Sequence, residues 1–491
     1  MNTELSEKNI ALTGQSSCHL GYDRDSVELG IVHFGPGAFH RAHQAVYTDD
    51  LLVNGSTKWG ICEVSINSAT VRDKLLPQDN LYTLAILDRE VSYRVIGAIK
   101  EVLVAPEDPA LVVQRLTLPA VKAVTLTVTE KGYCLTPEGG LDFEHEAIVH
   151  DLKNCNKPRS VIGFICAGLR ERYKQGIAPF VVISCDNVSD NGKRLKRAVL
   201  DFAGTTDSAF VRWLENEVHF PCTMVDSITP ATDDKFCQDV EQLTGFKDNW
   251  PIQRESFSQW VIEDIPNVIL PPWASVGAIV TKDVSGYELT KLRVLNCLHS
   301  TLAFLGAFAD LDTVEQAISH RGIKAFLEVM LLKEIIPTLP DVEGLNKVAY
   351  GQKIIQRFEN PAIRHLLAQI AWDSSQKIPY RILAIVCDNI ANNKASPMLC
   401  LSLAAWMKFV VAKMSTGQQI IDPLEDKLVG IAKYCDGSDI DVEHFISLEQ
   451  IFPKRLQTNK QFIDDIKTAY RLFNQHQADE VSTILTCVGA A

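Results

Sequence analysis

A change of rhythm near residue 285 constrains this chain more than any other feature. Before it, short apolar β-like runs alternate with helical stretches: Gly30–Phe34, Gly60–Val64, Tyr82–Leu87, Ala123–Thr127, Phe180–Ser184 and Thr223–Val225. A Pro-rich stretch follows, NVILPPW (Asn267–Trp273), then one more apolar run, Val276–Val280. From there the periodicity is almost wholly helical through Leu485. Strands alternating with helices predict a largely parallel, doubly wound sheet. The predicted fold class is α/β: a Rossmann-like N-terminal dinucleotide-binding domain over 1–284, then a mainly α-helical C-terminal domain over 285–491. Residues 1–28 read as a polar, strand-poor lead-in, and Gly139-Gly140 and Asn154–Pro158 as loops.

Composition narrows the partners. The formal net charge is −13, which leaves no basic field for nucleic acid or an anionic membrane. Thirteen cysteines are scattered singly with no Cys-x-x-Cys pair. That is the pattern of small buried hydrophobes in a reducing compartment, not of a disulfide framework or a zinc site. The N-terminal MNTELSEKNIALTGQ is polar, without the apolar segment of a signal peptide. The longest apolar helical stretch, Met398–Ala412, is broken by Lys408 and reads as too short for a bilayer. A cytoplasmic protein is expected, with neither a nucleic-acid nor a membrane partner. With no assembly motif in view, monomer is the default.

IVHFGPGAFHRAHQAVYTDDLL (Ile31–Leu52) reads as strand, tight turn and helix. Gly35-Pro36-Gly37 supplies the first two glycines of a G-x-G-x-x-G fingerprint, while His40 stands where the third would be. A plain strand–turn–helix needs the same residues. The turn nevertheless follows the first strand of the α/β half, where a pyrophosphate would lie. In the next strand, WGICEV, Glu63 lies near the end, where an acid bonds the adenosine ribose and disfavours a 2′-phosphate, so NAD is expected. His40 and His43, three apart, lack a neighbouring acidic helix motif, and no metal is expected.

Polar groups also close other strands. Thr129, Glu130 and Lys131 follow one, Asp186 and Asn187 a second, and Asp226 a third. Each admits a structural alternative, a charged turn or a helix N-cap by Asp186 or Asn187. In the helical half, Arg364, His365, Asp373 and Lys377 fall at helix ends. YELTKLRVLNCLHSTLAFLG (Tyr287–Gly306) is an apolar helical stretch holding Lys291, Asn296 and His299. At roughly 100° per residue, His299 falls about 80° and Asn296 about 140° from Lys291, within the apolar half. Arg293 falls on the far side, as an ordinary surface charge would. Partial burial would lower the lysine's pKa towards neutrality, which suits a general base. A snorkelling Lys beside a satisfied core Asn and His is the bland alternative.

FGPGAFHRAHQAVYTDDLL, VTEKGYC, SCDN with NG following, FPCTMVDSITPATD, QWVIED and KLRVLNCLHS occur in this order. Together they resemble the polyol-specific long-chain dehydrogenase/reductase (mannitol dehydrogenase) family, from about residue 29 to the C-terminus. ICEVS, VTEKGYC, QWVIED and SSQKIPYR are most similar to its fructuronate-reducing members. The resemblance implies metal-free hydride transfer between NAD and a secondary alcohol carbon, with Lys291 as general acid/base. It implies that Asn187 and Asn296 hold the reacting oxygen, that His299 and Asp226 bind and orient substrate, and that Lys377 is a further substrate contact. It assigns the dinucleotide loop to Ile31, Val32, His33 and Phe34, the turn Gly35, Pro36 and Gly37, and the helix start Ala38, Phe39, His40, Arg41 and Ala42.

The implied reaction interconverts D-mannonate and D-fructuronate, with Lys377, Arg364 and His365 as candidate partners for the carboxylate. A dehydrogenase for neutral polyols such as mannitol or arabinitol, a tagaturonate reductase, and a non-catalytic dinucleotide sensor are the alternatives. Intact Lys291, Asn187, Asn296 and His299 argue against the sensor, since sensing needs no proton-transfer lysine. Pro36 stiffens the turn. Ser227, Cys297-Leu298 and Ser374 depart from common family residues near the inferred substrate site.

Overall fold

The computed structural model describes residues 3–11, 19–205 and 207–489. The chain divides into two compact units at the Val284/Ser285 junction. In the first, five parallel strands form the central sheet: β1 (Leu29–Phe34), β2 (Gly60–Ser65), β3 (Ile99–Val104), β4 (Ala123–Leu126) and β5 (Val181–Ser184), in the order β3-β2-β1-β4-β5. This is the doubly wound dinucleotide fold with five of its six usual strands, and the strand order reverses between β1 and β4. A second sheet joins β6 (Thr223–Asp226), β7 (Gln259–Glu263) and β8 (Ile279–Thr281), with β7 antiparallel to β6 and parallel to β8.

Side chains alternate across the central sheet, as the two-residue period of a strand requires. Val32, Phe34, Cys62, Val64, Val124 and Leu126 pack on one face against helices α3 (Val161–Gln175) and α4 (Asn191–Ala203). Ile31, Ile61 and Ala123 face the other way, onto Ala45, Leu51 and Leu52 of α2 (Gln44–Val53) and the indoles of Trp260 and Trp273. A five-residue helix, α1 (Ala38–Ala42), joins the β1 turn to α2 through a kink at His43.

The expected strands are present within a residue or two. β3, β7, Ser92–Ile96 and Ile252–Glu255 lay outside the sequence expectation; β3 is an edge strand that carries the half-buried Lys100 and Glu101. The lead-in is less strand-poor than expected: Thr3–Glu4 pairs in parallel with Phe246–Lys247. Arg24, buried, donates to Gly97 O and Ile99 O at 2.9 and 2.7 Å.

The second unit is helical around one large apolar core. The predicted Tyr287–Gly306 helix is broken: α5 (Val284–Lys291) passes through a π turn, Leu292–Asn296, into α6 (Cys297–Phe308). Two further π turns, Leu331–Ile335 and Pro379–Leu383, pack against the first. The wider turn shifts the phase of everything after Lys291. Arg293 is no surface charge: it is buried, donating to Thr338 O at 2.8 Å and pairing with Asp388 at 2.5 Å. The apolar stretch thought too short for a membrane is the 19-residue α7 (Pro397–Ser415), long and apolar enough to cross one. It is the core helix of this unit, packed by α6 and by Lys460–Gln475. Glu334 accepts the Met398 and Leu399 N–H groups at 2.8 and 2.9 Å, closing its first turn.

Candidate functional site

A cleft of about 640 Å³ opens at the carboxyl ends of β1, β2 and β4, where the strand order reverses. Gly35 to Gly37 line one side, Ser65 to Ser68 another, and Thr129, Lys131 and Arg159 a third. Gly35 has φ +91°, and a Cβ there would stand 2.2 Å from Thr127 O, so only glycine fits. At Gly37 an added Cβ would meet nothing closer than 3.8 Å. The missing side chain thus leaves open space at the turn rather than relieving a clash. Ser65 Oγ–H donates to Ser68 O at 2.6 Å and shapes the β2 rim. On the third side, Ser160 caps α3 by accepting the Gly163 N–H at 2.9 Å. Asp151 accepts the Arg159 and Ser160 N–H groups, both at 2.8 Å. Sequence reading passed over Arg159 and Ser160; the S-x-x-G cap before an apolar run was their signal.

The dinucleotide-loop residues divide by face. Ile31, Val32 and Phe34 are core. His33 lies abreast of Glu63 and Thr125 in the strand register, on the face that α1 and α2 cover. Its Nε2 is 3.2 Å from Gly35 O and 3.0 Å from Thr127 Oγ1, and its Nδ1 is 2.7 Å from Thr125 Oγ1. A carbonyl only accepts, so Nε2 carries the proton and Nδ1 accepts from Thr125. Burial pushes the ring down to about 3, so His33 is a neutral strut under the glycine turn. The His40 ring stacks on it at 3.3 Å, and Arg41 lies over Trp250 at 4.4 Å. Phe39 stacks on His43, and Ala38 and Ala42 pack in the apolar cluster beside them.

Glu63 requires a correction. It does not line the cleft; it is fully buried, 3.3 Å from His40, with neither carboxylate oxygen hydrogen-bonded among the described residues. Burial pushes it up to about 8 against the pull of Arg41. The strand period turned this acid onto the helix-covered face, and the residues at the β2 rim are Ser65, Asn67 and Ser68.

Asp186 is no helix cap. It accepts the Thr129 and Val128 N–H groups at 2.8 and 3.3 Å and the Tyr133 hydroxyl at 2.9 Å, pinning the VTEKGYC loop. The cap position of α4 is Asp190. Thr129, held at φ +64°, and Lys131 face the cleft, whereas Glu130 is exposed and 3.7 Å from Arg194. Asn187 is exposed after β5, and Asp226 is buried at the end of β6.

In the second unit, Lys291 ends α5, Asn296 ends the π turn, and both are half-buried. His299 is buried on α6. Its ring stacks on Phe358 at 4.3 Å and meets His365 edge-on at 5.3 Å. Burial, then His365, Arg357 and Arg381, push its pKa well down, so the ring is neutral, and its buried Nε2 has no hydrogen-bond partner among the described residues. Burial also lowers His365. Lys377, half-buried, donates to Ile370 O at 3.3 Å and to Trp372 O. Arg364 is exposed.

Residues 29–273 match the mannitol dehydrogenase Rossmann domain, and residues 283–473 match the mannitol dehydrogenase C-terminal domain. The chain belongs to the mannitol dehydrogenase family. D-mannonate oxidoreductase of Escherichia coli (strain K12) is 38% identical over 94% of this chain and 96% of its own. A mannitol 2-dehydrogenase of Neosartorya fischeri is 36% identical over 90% of each. Among solved structures, a substrate-free D-sorbitol dehydrogenase superposes with a TM-score of 0.91 at 29% identity, covering 98% of this chain and 100% of that one. Pseudomonas fluorescens mannitol 2-dehydrogenase, in ternary complex with NAD and D-mannitol, has a TM-score of 0.78 at 31% identity, covering 99% of both.

Two departures from common mannitol dehydrogenase residues are core positions. Ser374 donates to Asp422 at 3.1 Å and accepts from the Trp406 indole at 2.9 Å. Cys297 is fully buried, its thiol pushed up to about 12. Ser227 donates to Phe257 O at 3.0 Å.

Proposed function

We propose that this member of the family is a cytoplasmic, NAD-dependent oxidoreductase that interconverts D-mannonate and D-fructuronate without a metal. One observation above others supports the reading. A single broken helix carries Lys291, Asn296 and a neutral His299 whose buried Nε2 has no hydrogen-bond partner among the described residues. The same chain is alike over 94% of its length to a D-mannonate oxidoreductase.

The cleft fits a dinucleotide: its turn admits only glycine at 35, is open at Gly37, and lies at the switch point of the sheet. When bound, NAD supplies the nicotinamide carbon that accepts or returns the hydride. Gly35 to Gly37 hold the dinucleotide, with Ser65 to Ser68 at one rim and Thr129, Lys131 and Arg159 at another.

Lys291 takes the hydroxyl proton of the alcohol in oxidation and returns it to the developing alkoxide in reduction. Asn296 donates its amide N–H to the same oxygen. A neutral amide stabilises the growing negative charge without raising the affinity of Lys291 for its proton. The neutral His299 orients a substrate hydroxyl through Nε2. The lysine and amide do what a Lewis-acid metal would otherwise do at this oxygen.

The test is Lys291→Ala. Loss of the acid/base should cut kcat about 10³-fold or more while NADH binding, read by fluorescence, stays within about threefold. Near-normal turnover would remove Lys291 from the chemistry. A second reading, oxidation of a neutral polyol, follows from the 36% identity to a mannitol 2-dehydrogenase. It requires the same machinery and differs only in what binds the far end of the substrate.

A further inference from the structure

The helical unit holds a cation that the proton-transfer residues do not require. Arg381 lies in the π turn Pro379–Leu383, which packs against the π turn carrying Asn296. Its Nη1–H donates to Ser300 Oγ at 3.1 Å, and Ser300 directly follows His299 on α6. The guanidinium is half-buried, and no carboxylate among the described residues pairs with it. Only the Cys297 thiol favours its charge, and that thiol is neutral. Arg381 also lies close enough to His299 to help hold that ring neutral.

Lys377 stands four residues earlier and feels Arg381 as a repelling charge. Like charges four apart on a helix destabilise it, and partial burial adds to the cost. Asp373 and Asp422 lie near enough to favour the charge on Lys377, although neither forms an ion pair with it; no carboxylate among the described residues does this for Arg381, which is the cation left to meet an anion. The donors of the two cations are not equivalent. Lys377 commits its N–H groups to the Ile370 and Trp372 carbonyls, whereas Arg381 gives one to Ser300 and keeps the rest of its fork. That fork matches a carboxylate in two parallel bonds. The other candidates are weaker: Arg364 is exposed, and burial holds His365 towards its neutral form.

We propose that Arg381 binds the substrate carboxylate and thereby sets a preference for sugar acids over neutral ketoses and polyols. This rests on the sugar-acid reading above, and Lys377 lends a second positive charge to the same anion. With its carboxylate on Arg381, the substrate presents its hydroxyls to His299, whose neighbour Ser300 holds the guanidinium in place.

The experiment compares wild type, Arg381→Gln and Arg381→Lys with NADH on D-fructuronate and on D-fructose. For Arg381→Gln, the ratio of kcat/KM for fructuronate to that for fructose should fall about 100-fold, chiefly through KM for the acid. Arg381→Lys keeps the charge but loses the fork, and its ratio should fall between the two. Added guanidinium ion should restore part of the fructuronate activity of Arg381→Gln. An equal fall on both substrates, or an unchanged ratio, would overturn the assignment while leaving the sugar-acid reading intact. A wild-type preference for fructose would overturn both.

Discussion

Glu63 and His33 are held abreast by the β1–β2 register, and burial drives their proton affinities in opposite directions. Glu63, raised to about 8, keeps in the folded protein a proton that the unfolded chain has released. Its contribution to stability is therefore complete in acid and is lost as pH rises towards that value. His33, lowered to about 3, works the other way: the unfolded chain takes up the proton first, so stability falls as pH drops below about 6.5. Glu63→Gln removes the first effect only. Thermal unfolding between about pH 5 and about pH 8 should show the variant losing less stability than wild type as pH rises. The same variant should discriminate between NADH and NADPH as wild type does. Relaxed discrimination would return Glu63 to the ribose site. The sequence placed Glu63 near the end of its strand, but the strand period, which turns it onto the helix-covered face, decided its role.

At the scale of elements, the glycine turn was legible and the π turns were not. G-x-G after the first strand is a local pattern with a local steric cause, so it could be read from neighbours in the chain. Gly35→Ala should cost about 3 kcal/mol or more, from a positive φ and a 2.2 Å approach to a backbone carbonyl. It should also weaken NADH binding, measurable by titration on the folded fraction. A variant as stable as wild type would mean that β1 and β4 can part without loss. The π turn between Lys291 and Asn296 depends on packing against two other such turns far along the chain. Helix phase alone placed Arg293 on the surface, whereas Thr338 and Asp388, far along the chain, cover it. Arg381 escaped notice for the same reason: only the fold reveals that it lacks an acid partner.

At the scale of the molecule, the change of rhythm near residue 285 announced two units of different class, and the family's two domains match on either side of it. Family membership defines the class of chemistry. The substrate is less constrained, because relatives of similar identity are named for a sugar acid and for a neutral polyol. The difference between those substrates is one carboxylate, and its consequences are electrostatic. The most direct test is therefore the rate of NADH oxidation by the wild-type protein with D-fructuronate, D-tagaturonate and D-fructose side by side. The account predicts that fructuronate has the highest kcat/KM, with fructose at least about tenfold lower. A higher kcat/KM for fructose would contradict the account and make this protein a polyol dehydrogenase.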